Sequence, residues 1–139
     1  MKKILLSLSM LVLISQAYEL NPQMQKYMES LKEKAKQENP NFKDFSYERG
    51  KEIFTSEHIG KKGKKISCVS CHTKDLTKEG ENISTGKKIS PLSPYGDPKR
   101  FPKVKNVKKW LRRNFNDVYN RTGSAQEKGD VIVYIINQK

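Results

Sequence analysis

Apolar residues recur at helical spacing in several segments of the chain, and the first of these follows residue 21. Its apolar positions are Met24, Met28, Leu31 and Ala35. Asn21 and Pro22 supply an N-cap and a proline at the first helical position, and the pattern stops before residues 39–40, an Asn-Pro pair. The spacing therefore predicts an amphipathic helix over 22–37.

A second helix is predicted over 46–57, with Ser46 as its N-cap. Gly50 precedes Phe54 by one helical turn. Because glycine removes a side chain one turn from a large ring, another helix can cross closely at this point.

Two more helices are predicted in the C-terminal part, over 104–120 and from Ser124 to the end. The stripe on the first of them consists of Val104, Val107, Leu111, Asn114 and Val118, and Trp110 flanks it. Asn114 is the only polar member of this stripe. Ser124 and Glu127 have the spacing of a capping box, which marks the start of the last helix.

Residues 60–102 are expected to form loop, because glycines and prolines punctuate lysine-rich segments without a sustained period. No segment alternates long enough to predict a sheet. The predicted fold class is therefore mostly α, with residues 18–44 as an N-terminal helical arm and 45–139 as the main domain.

Residues 1–17 are typical of a secretory signal peptide. Two lysines precede an apolar run over 4–14, and small residues end the segment at Ala17. The run is shorter than the roughly 18 residues of a membrane span, so an uncleaved anchor is the less favoured alternative. We expect export to the periplasm, cleavage near Ala17, and no stable membrane insertion afterwards.

The chain is strongly basic, with 28 lysines and arginines against 15 acidic residues and a formal net charge of +13. Nucleic-acid binding is disfavoured, because an exported protein meets little nucleic acid and the lysines are not interleaved with stacking aromatics. The charge instead suits an acidic protein partner or membrane headgroups, by an attraction that weakens with salt. A solvated basic surface is an equal alternative.

The hydrophobic fraction is only 35%, well below the roughly 45–50% of average domains. Side chains alone give such a chain little apolar volume. We therefore expect something other than side chains to fill part of the core.

The most specific motif is Cys68-Val69-Ser70-Cys71-His72. Two thiols at this spacing can form thioethers with a haem, while the adjacent imidazole binds the iron, so C-x-x-C-H predicts a c-type haem. Three other kinds of site fit these residues less well than a haem does. A disulfide would close too small a loop to stabilise much, a zinc site lacks a second ligand pair, and a thioredoxin-type site lacks alternating strands and helices.

An axial histidine needs an acceptor for its second ring nitrogen, and the loop over 89–92, with Pro91 and Leu92, is the predicted source. The sixth iron ligand is left open by the residues alone. No methionine or further histidine follows His72, and ordinary apolar packing explains Met24 and Met28. Three candidates remain.

These candidates are His58, a lysine and Asn114. Asn114 is the polar exception on an apolar stripe, although a buried amide also finds partners in the backbone or in a haem propionate. His58 precedes the motif, where a cap or a packing role near the haem edge suits it better. The lysines are too numerous for one to be singled out.

The ordered motifs of roughly residues 45–138 resemble the small monohaem cytochromes typified by the sphaeroides haem protein. The residues that carry the resemblance are Gly50-x-x-x-Phe54, the attachment motif, Gly86-Lys87-Lys88-Ile89-x-Pro91-Leu92-x-Pro94, Phe101, Lys109-Trp110-Leu111-Arg112-Arg113-Asn114, Asn116-Asp117-Val118, Arg121 and Gln126-Glu127-Lys128-Gly129-Asp130. The string from Lys109 to Asn114 makes the resemblance specific. The predicted N-terminal helix lies outside it.

The resemblance implies a class I cytochrome c-like fold around one covalently attached haem c. It implies that Asn114 is the sixth ligand of the oxidised iron and leaves on reduction, so that oxygen or nitric oxide can bind. The residues expected to contact the cofactor are Cys68, Cys71, His72, Asn114, Phe54, Pro91, Leu92 and Trp110, with His72 and Asn114 on the metal. The implied electron donor is a dihaem cytochrome c, often beside a membrane cytochrome b.

The sequence departs from this family at one feature. Some relatives carry a disulfide around the ligand-bearing segment, whereas Phe115 and Gly123 occupy those positions here. Packing alone then holds the segment that carries Asn114, which bears on the exchange rate of the ligand more than on its identity.

The predicted function is an exported cytochrome c that transfers electrons and binds small diatomic gases when reduced. A six-coordinate electron carrier with His58 or a lysine on the iron is the alternative within haem chemistry. A thiol-disulfide oxidoreductase and a basic adaptor without redox chemistry are the alternatives from other classes. Whether the haem also catalyses a reaction of oxygen or nitric oxide is left open.

Overall fold

The computed structural model describes residues 17–139 and is mostly helical. Its α-helices are α1 (Pro22–Glu38), α2 (Tyr47–Thr55), α3 (Val69–His72), α4 (Val104–Tyr119) and α5 (Ala125–Ile136). Its strands are β1 (His58–Ile59), β2 (Lys65–Ile66), β3 (Gly80–Glu81) and β4 (Lys88–Ile89). The mostly α fold class is confirmed.

The helices begin where the sequence places their caps. Asn21 accepts a hydrogen bond from the backbone N–H of Met24 at 2.9 Å, and Ser46 accepts one from Arg49 at 3.2 Å. Ser124 and Glu127 form the complete capping box at the start of α5. Each cap satisfies donors that the first helical turn leaves free.

Helices α2 and α5 cross at Gly50, as the Gly-x-x-x-Phe spacing predicts. A Cβ on Gly50 would lie 2.1 Å from the carbonyl oxygen of Asp130 and 2.8 Å from the Cβ of Tyr134, so the crossing requires glycine. The buried Asp130 carboxylate binds Arg49 through Nε at 2.8 Å and Nη2 at 3.0 Å. It also accepts the N–H of Ser46 at 2.7 Å, so that this charge is fully paired.

Helix α1 buries one face in the same core. Met24 and Ala35 are 0% exposed, and the helix packs mainly against α5. The sequence treats residues 18–44 as an arm, but the helix is an integral part of the packing. The division of the chain at residue 45 stays a prediction.

The region over 60–102 differs from the expected loop, because it contains α3, the second strand of one short β-hairpin and the whole of another. Strand β1 pairs with β2, and β3 with β4, both antiparallel. Each strand is only two residues long, which is too short for the alternation that predicts a strand. The hairpins place Cys68, Cys71 and His72 between them in the chain.

Among residues 17–139, no helix is long and apolar enough to cross a membrane. The signal peptide predicted over 1–17 lies outside the described residues except for Ala17.

Candidate functional site

Cys71 and His72 lie on α3, and Cys68 is the residue directly before this helix. Both thiols are free and only partly exposed, so that no disulfide joins them. The His72 side chain is buried, with 7% of its surface exposed. The short helix therefore presents two thiols and an imidazole from one turn of backbone.

Burial, together with the neighbouring Cys71 thiol, raises the pKa of the Cys68 thiol to about 12. A dithiol that exchanges disulfides needs a lowered pKa on its attacking thiol, because the thiolate is the nucleophile. This environment argues against a thiol-disulfide oxidoreductase.

The Asn114 side chain of α4 faces the imidazole of His72. The distance between Asn114 Oδ1 and His72 Nε2 is 3.3 Å. On its other side, Asn114 Nδ2 donates a hydrogen bond to the carbonyl of Trp110 at 2.7 Å. Since only the amide nitrogen can donate, this bond turns the amide oxygen toward His72.

Burial lowers the pKa of His72, and the hydrogen bond to Asn114 opposes this effect in part. The Arg100 guanidinium also lowers the pKa of His72. A neutral imidazole has the lone pair that a metal ion requires. The site thus keeps His72 in the form that binds iron.

An apolar cavity lies between these side chains and the core. It is lined by Ile53, Phe54, Cys68, His72, Leu92, Trp110, Leu111, Asn114, Phe115, Tyr119 and Val131. Most of these side chains are hydrocarbon or aromatic. Such a lining suits the body of a large apolar ligand.

A second, open cavity, with its mouth toward solvent, adjoins the apolar cavity. Both cavities share Cys68, His72, Leu92, Trp110 and Asn114. The open cavity adds the cationic side chains of Lys87, Arg100 and Arg113. The pair of cavities is therefore apolar inside and basic toward the mouth.

The indole Nε1 of Trp110 is buried and has no hydrogen-bond partner among the described residues. A buried donor without an acceptor is costly, by about 1–3 kcal/mol. Trp110 lines both cavities, where an acceptor on a bound group would satisfy it.

These features fit a haem. Its apolar ring matches the lining of the apolar cavity, and its carboxylates match the cationic mouth and the orphaned donor of Trp110. The two thiols and the neutral imidazole are the donors that a c-type haem uses.

The structure brings most of the predicted site residues together. Phe54 is 2% exposed, and its ring lies 6.1 Å from that of His72. Leu92 and Trp110 line both cavities. Pro91 lines neither cavity, and its carbonyl accepts a hydrogen bond from Arg100 at 2.6 Å. An acceptor for His72 Nδ1 in this loop stays a prediction.

The other candidate ligands lie elsewhere. The His58 ring stacks on Tyr119 with 4.1 Å between ring centroids, and it lines neither of the two cavities. Met24 and Met28 also lie outside both linings, and Met24 is wholly buried in the core. Among the lysines, Lys87 lines the open cavity.

Sequence reasoning missed Arg100 and Tyr119. The Arg100 guanidinium donates hydrogen bonds to the carbonyls of Ser90 and Pro91. No local sequence pattern predicts this contact between loop residues. Tyr119 follows Phe115 by one helical turn on α4, and the two rings lie 5.5 Å apart. Widening the stripe of α4 by one position, to include Phe115, would also have included Tyr119.

Comparison with known proteins identifies the family. A family described as "Domain of unknown function (DUF1924)" matches residues 40–135. The chain is 41% identical to the cytochrome c-type protein SHP of Cereibacter sphaeroides over 91 residues, which are 66% of this chain and 70% of SHP. It is 34% identical to cytochrome c'' of Methylophilus methylotrophus over 100 residues, which are 72% of this chain and 69% of that protein.

Solved structures agree. Oxidised cytochrome c'' of Methylophilus methylotrophus matches with a TM-score of 0.74 at 31% identity, over 83% of this chain and 94% of the other. Oxidised SHP, an oxygen-binding cytochrome c, matches with a TM-score of 0.70 at 31% identity, over 85% of this chain and 97% of the SHP chain. The solution structure of cytochrome c'', which was used to study haem-ligand detachment, has a TM-score of 0.72 at 31% identity. The match covers 83% of this chain and 93% of the cytochrome c'' chain.

These matches confirm the resemblance, the helical cytochrome fold and one covalently attached haem c as the cofactor of the family. The chain belongs to the family of small c-type cytochromes that includes SHP and cytochrome c''.

Proposed function

We propose that this chain is an exported cytochrome c that transfers electrons and binds small diatomic gases when reduced. Cys68 and Cys71 attach the haem, His72 binds one side of the iron, and the Asn114 carboxamide covers the other side in the oxidised protein. The haem supplies an iron that changes oxidation state and accepts a sixth ligand.

The observation that carries the proposal is the orientation of Asn114. Its Oδ1 lies 3.3 Å from His72 Nε2, and its Nδ2 is bound to the Trp110 carbonyl. The amide therefore aims its acceptor atom at the imidazole that the attachment motif assigns to the iron.

The chemistry of the amide accounts for gas binding on reduction. A neutral, hard oxygen donor suits ferric iron better than ferrous iron, so we expect Asn114 to leave when the protein is reduced. The relatives support this reading, because SHP is an oxygen-binding cytochrome c and cytochrome c'' is a protein in which haem-ligand detachment has been studied. The apolar side chains around Asn114 then limit the access of water.

Export is supported by the signal peptide predicted over 1–17. The electron donor is proposed to be another cytochrome with an acidic surface, in keeping with the net charge of +13. The proposed function includes neither nucleic-acid binding nor stable membrane insertion.

The test compares Asn114→Ala with Asn106→Ala, an exposed asparagine on the same helix. We expect Asn114→Ala to change the ferric absorption spectrum and to raise the affinity of the ferric protein for added imidazole by at least about tenfold, since a competing ligand is lost. Asn106→Ala should match the wild type. An unchanged ferric spectrum in Asn114→Ala would favour a six-coordinate carrier with another ligand.

A further inference from the structure

Arg100 is a largely buried cation that lines the open cavity together with His72. Its side chain is 21% exposed, and within residues 17–139 its one ion pair is to Asp97 at 3.9 Å. Arg49 and Arg121, by contrast, bind carboxylates at 2.8 Å and 2.6 Å. Burial lowers the pKa of Arg100, but arginine keeps its charge in proteins. A weakly compensated positive charge therefore lies beside the imidazole.

The guanidinium of Arg100 is engaged by two neutral carbonyl groups. Its Nε donates to the carbonyl of Pro91 at 2.6 Å, and its Nη2 donates to the carbonyl of Ser90. An ionised donor makes stronger hydrogen bonds than a neutral one. Arg100 therefore draws electron density from both carbonyl oxygens.

These carbonyls belong to the loop over 89–92, in which the sequence predicts the acceptor for the second ring nitrogen of His72. Leu92 of this loop lines both cavities with His72. His72 Nε2 faces Asn114 Oδ1 at 3.3 Å, so Nδ1 is the ring nitrogen left for that acceptor. A carbonyl oxygen has two lone pairs, and one that binds Arg100 can still accept an N–H from the imidazole.

The loop also has anchors that do not involve Arg100. The N–H of Ser93 donates to the carbonyl of Leu76 at 2.9 Å. A Cβ on Gly96 would lie 2.7 Å from the Cβ of Pro91, so the chain packs closely there. We therefore expect a substitution of Arg100 to change the charge and the hydrogen bonds more than the path of the loop.

We propose that Arg100 is a positioning residue for His72: it fixes the Ser90 and Pro91 carbonyls and, by polarising them, makes His72 a weaker donor to the iron. An acceptor on the second nitrogen of an axial imidazole raises the basicity of that ligand. An acceptor that already binds a guanidinium raises it less. A weaker donor and a nearby positive charge both favour ferrous over ferric iron.

This inference rests on the proposed haem site and adds a residue that adjusts its iron ligand. A simpler role for Arg100 is to bind a carboxylate of the haem at the cationic mouth. Both roles lower the reduction potential when Arg100 is removed, because a positive charge is lost. Only the first role changes the bond between His72 and the iron in a predictable direction.

The test uses three variants of the site and one control, all as haem-loaded full-length protein. Arg100→Leu removes the charge and both hydrogen bonds, whereas Arg100→Lys keeps the charge without the planar fork. Asp97→Asn removes the opposing charge and retains the oxygen that accepts the N–H of Lys99 at 3.0 Å. The control, Arg112→Leu, removes the same charge at an exposed position of α4 that lines neither cavity.

The first readout is the reduction potential at low and high salt. We expect Arg100→Leu to lower it by about 59 mV, a tenfold change for one electron, and Asp97→Asn to raise it. Arg100→Lys should change the equilibrium constant less than about twofold. Salt should abolish any effect of Arg112→Leu but not that of Arg100→Leu, because a buried charge is screened less. Equal shifts in Arg100→Leu and Arg112→Leu, or none in either, would overturn the proposal.

The second readout is the stretching frequency of the iron–imidazole bond in the ferrous protein, measured by resonance Raman spectroscopy. We expect a higher frequency in Arg100→Leu, since the released carbonyl accepts more strongly from His72 and makes the imidazole more basic. An unaltered frequency would leave Arg100 with the carboxylate role alone and overturn the proposal. A lower frequency would also overturn it, because the acceptor itself would then have been lost.

Failure of the proposed function gives a different result. The iron–imidazole band requires a five-coordinate ferrous iron, so its absence in the wild type would contradict release of Asn114 on reduction. The ferrous protein would then be low-spin and diamagnetic, and the chemical shift of the His72 Nδ1 proton would replace the Raman band. A downfield shift of this proton in Arg100→Leu would support the role of Arg100, and an unaltered or upfield position would overturn it.

Discussion

At the residue scale, the Asn114 amide is held by both of its polar atoms. The hydrogen bond from Nδ2 to Trp110 fixes the side chain, and Oδ1 is directed toward His72. An alanine could not provide either contact, and an aspartate would bring a charge into a largely apolar cavity. The amide is thus a fixed, neutral and weak donor, which is what a ligand that leaves on reduction requires.

Trp110 provides a test of how the cofactor is held. Trp110→Phe preserves an aromatic ring against Phe101, which lies 6.2 Å away in an edge-on arrangement. It removes the orphaned Nε1 donor together with part of the indole ring. If that donor binds a cofactor carboxylate, the haem-loaded protein should lose about 1–2 kcal/mol of unfolding free energy. Urea unfolding of the holoprotein measures this change.

Tyr119→Phe calibrates the result, because the Tyr119 hydroxyl donates one known hydrogen bond to the Ile53 carbonyl at 2.7 Å. A Trp110→Phe protein as stable as the wild type, beside a destabilised Tyr119→Phe protein, would contradict a hydrogen bond from the indole to the cofactor.

At the element scale, the crossing of α2 with α5 and the caps of the helices could be predicted from local residues. Gly50 with Phe54 predicted a close helix crossing, and Ser124 with Glu127 predicted the start of α5. Both patterns could be recognised because each depends on residues about one turn apart. The two hairpins could not be predicted in this way. Their strands are two residues long, and contacts with α3 and α4 position them.

Glu127 couples the cap of α5 to pH. The Arg121 guanidinium lowers the pKa of Glu127, and the two side chains form an ion pair at 2.6 Å. The ionised carboxylate therefore stabilises the fold above its unfolded pKa of about 4.3. This contribution is lost as the pH falls through the lower folded pKa.

We expect Glu127→Gln to reduce the unfolding free energy at neutral pH by roughly 1 kcal/mol. The difference from the wild type should shrink as the pH falls below about 4. Thermal unfolding across this pH range measures it. Glu48→Gln, at an exposed glutamate in the first turn of α2, is the control and should show neither effect. A constant difference at all pH values would contradict the role of the charge.

At the scale of the whole molecule, the low apolar content of the chain and its cavities have the same meaning, namely that side chains alone do not fill the core. A chain with 35% hydrophobic residues folds around two adjoining cavities whose linings together include His72 and both cysteines. The attachment motif and the resemblance predicted the cofactor and the fold from the sequence. The integral packing of α1 and the contacts of Arg100 could not be predicted, because they join segments far apart in the chain.

Removing the cofactor should therefore loosen the core. A triple variant, Cys68→Ser with Cys71→Ser and His72→Ala, should carry no added haem mass. We expect it to keep much of its far-ultraviolet circular dichroism, to lose its near-ultraviolet circular dichroism and to bind a hydrophobic dye. His58→Ala is the control, because His58 lines neither cavity, and it should retain the haem. A triple variant with a native near-ultraviolet spectrum would contradict the cofactor's place in the core.

The most direct measurement is the spin state of the ferrous holoprotein with and without nitric oxide. If Asn114 leaves on reduction, the ferrous protein is high-spin and five-coordinate, and its absorption spectrum changes when nitric oxide is added. A ferrous protein that stays low-spin and six-coordinate, with a spectrum unaltered by nitric oxide, would contradict the labile Asn114 ligand.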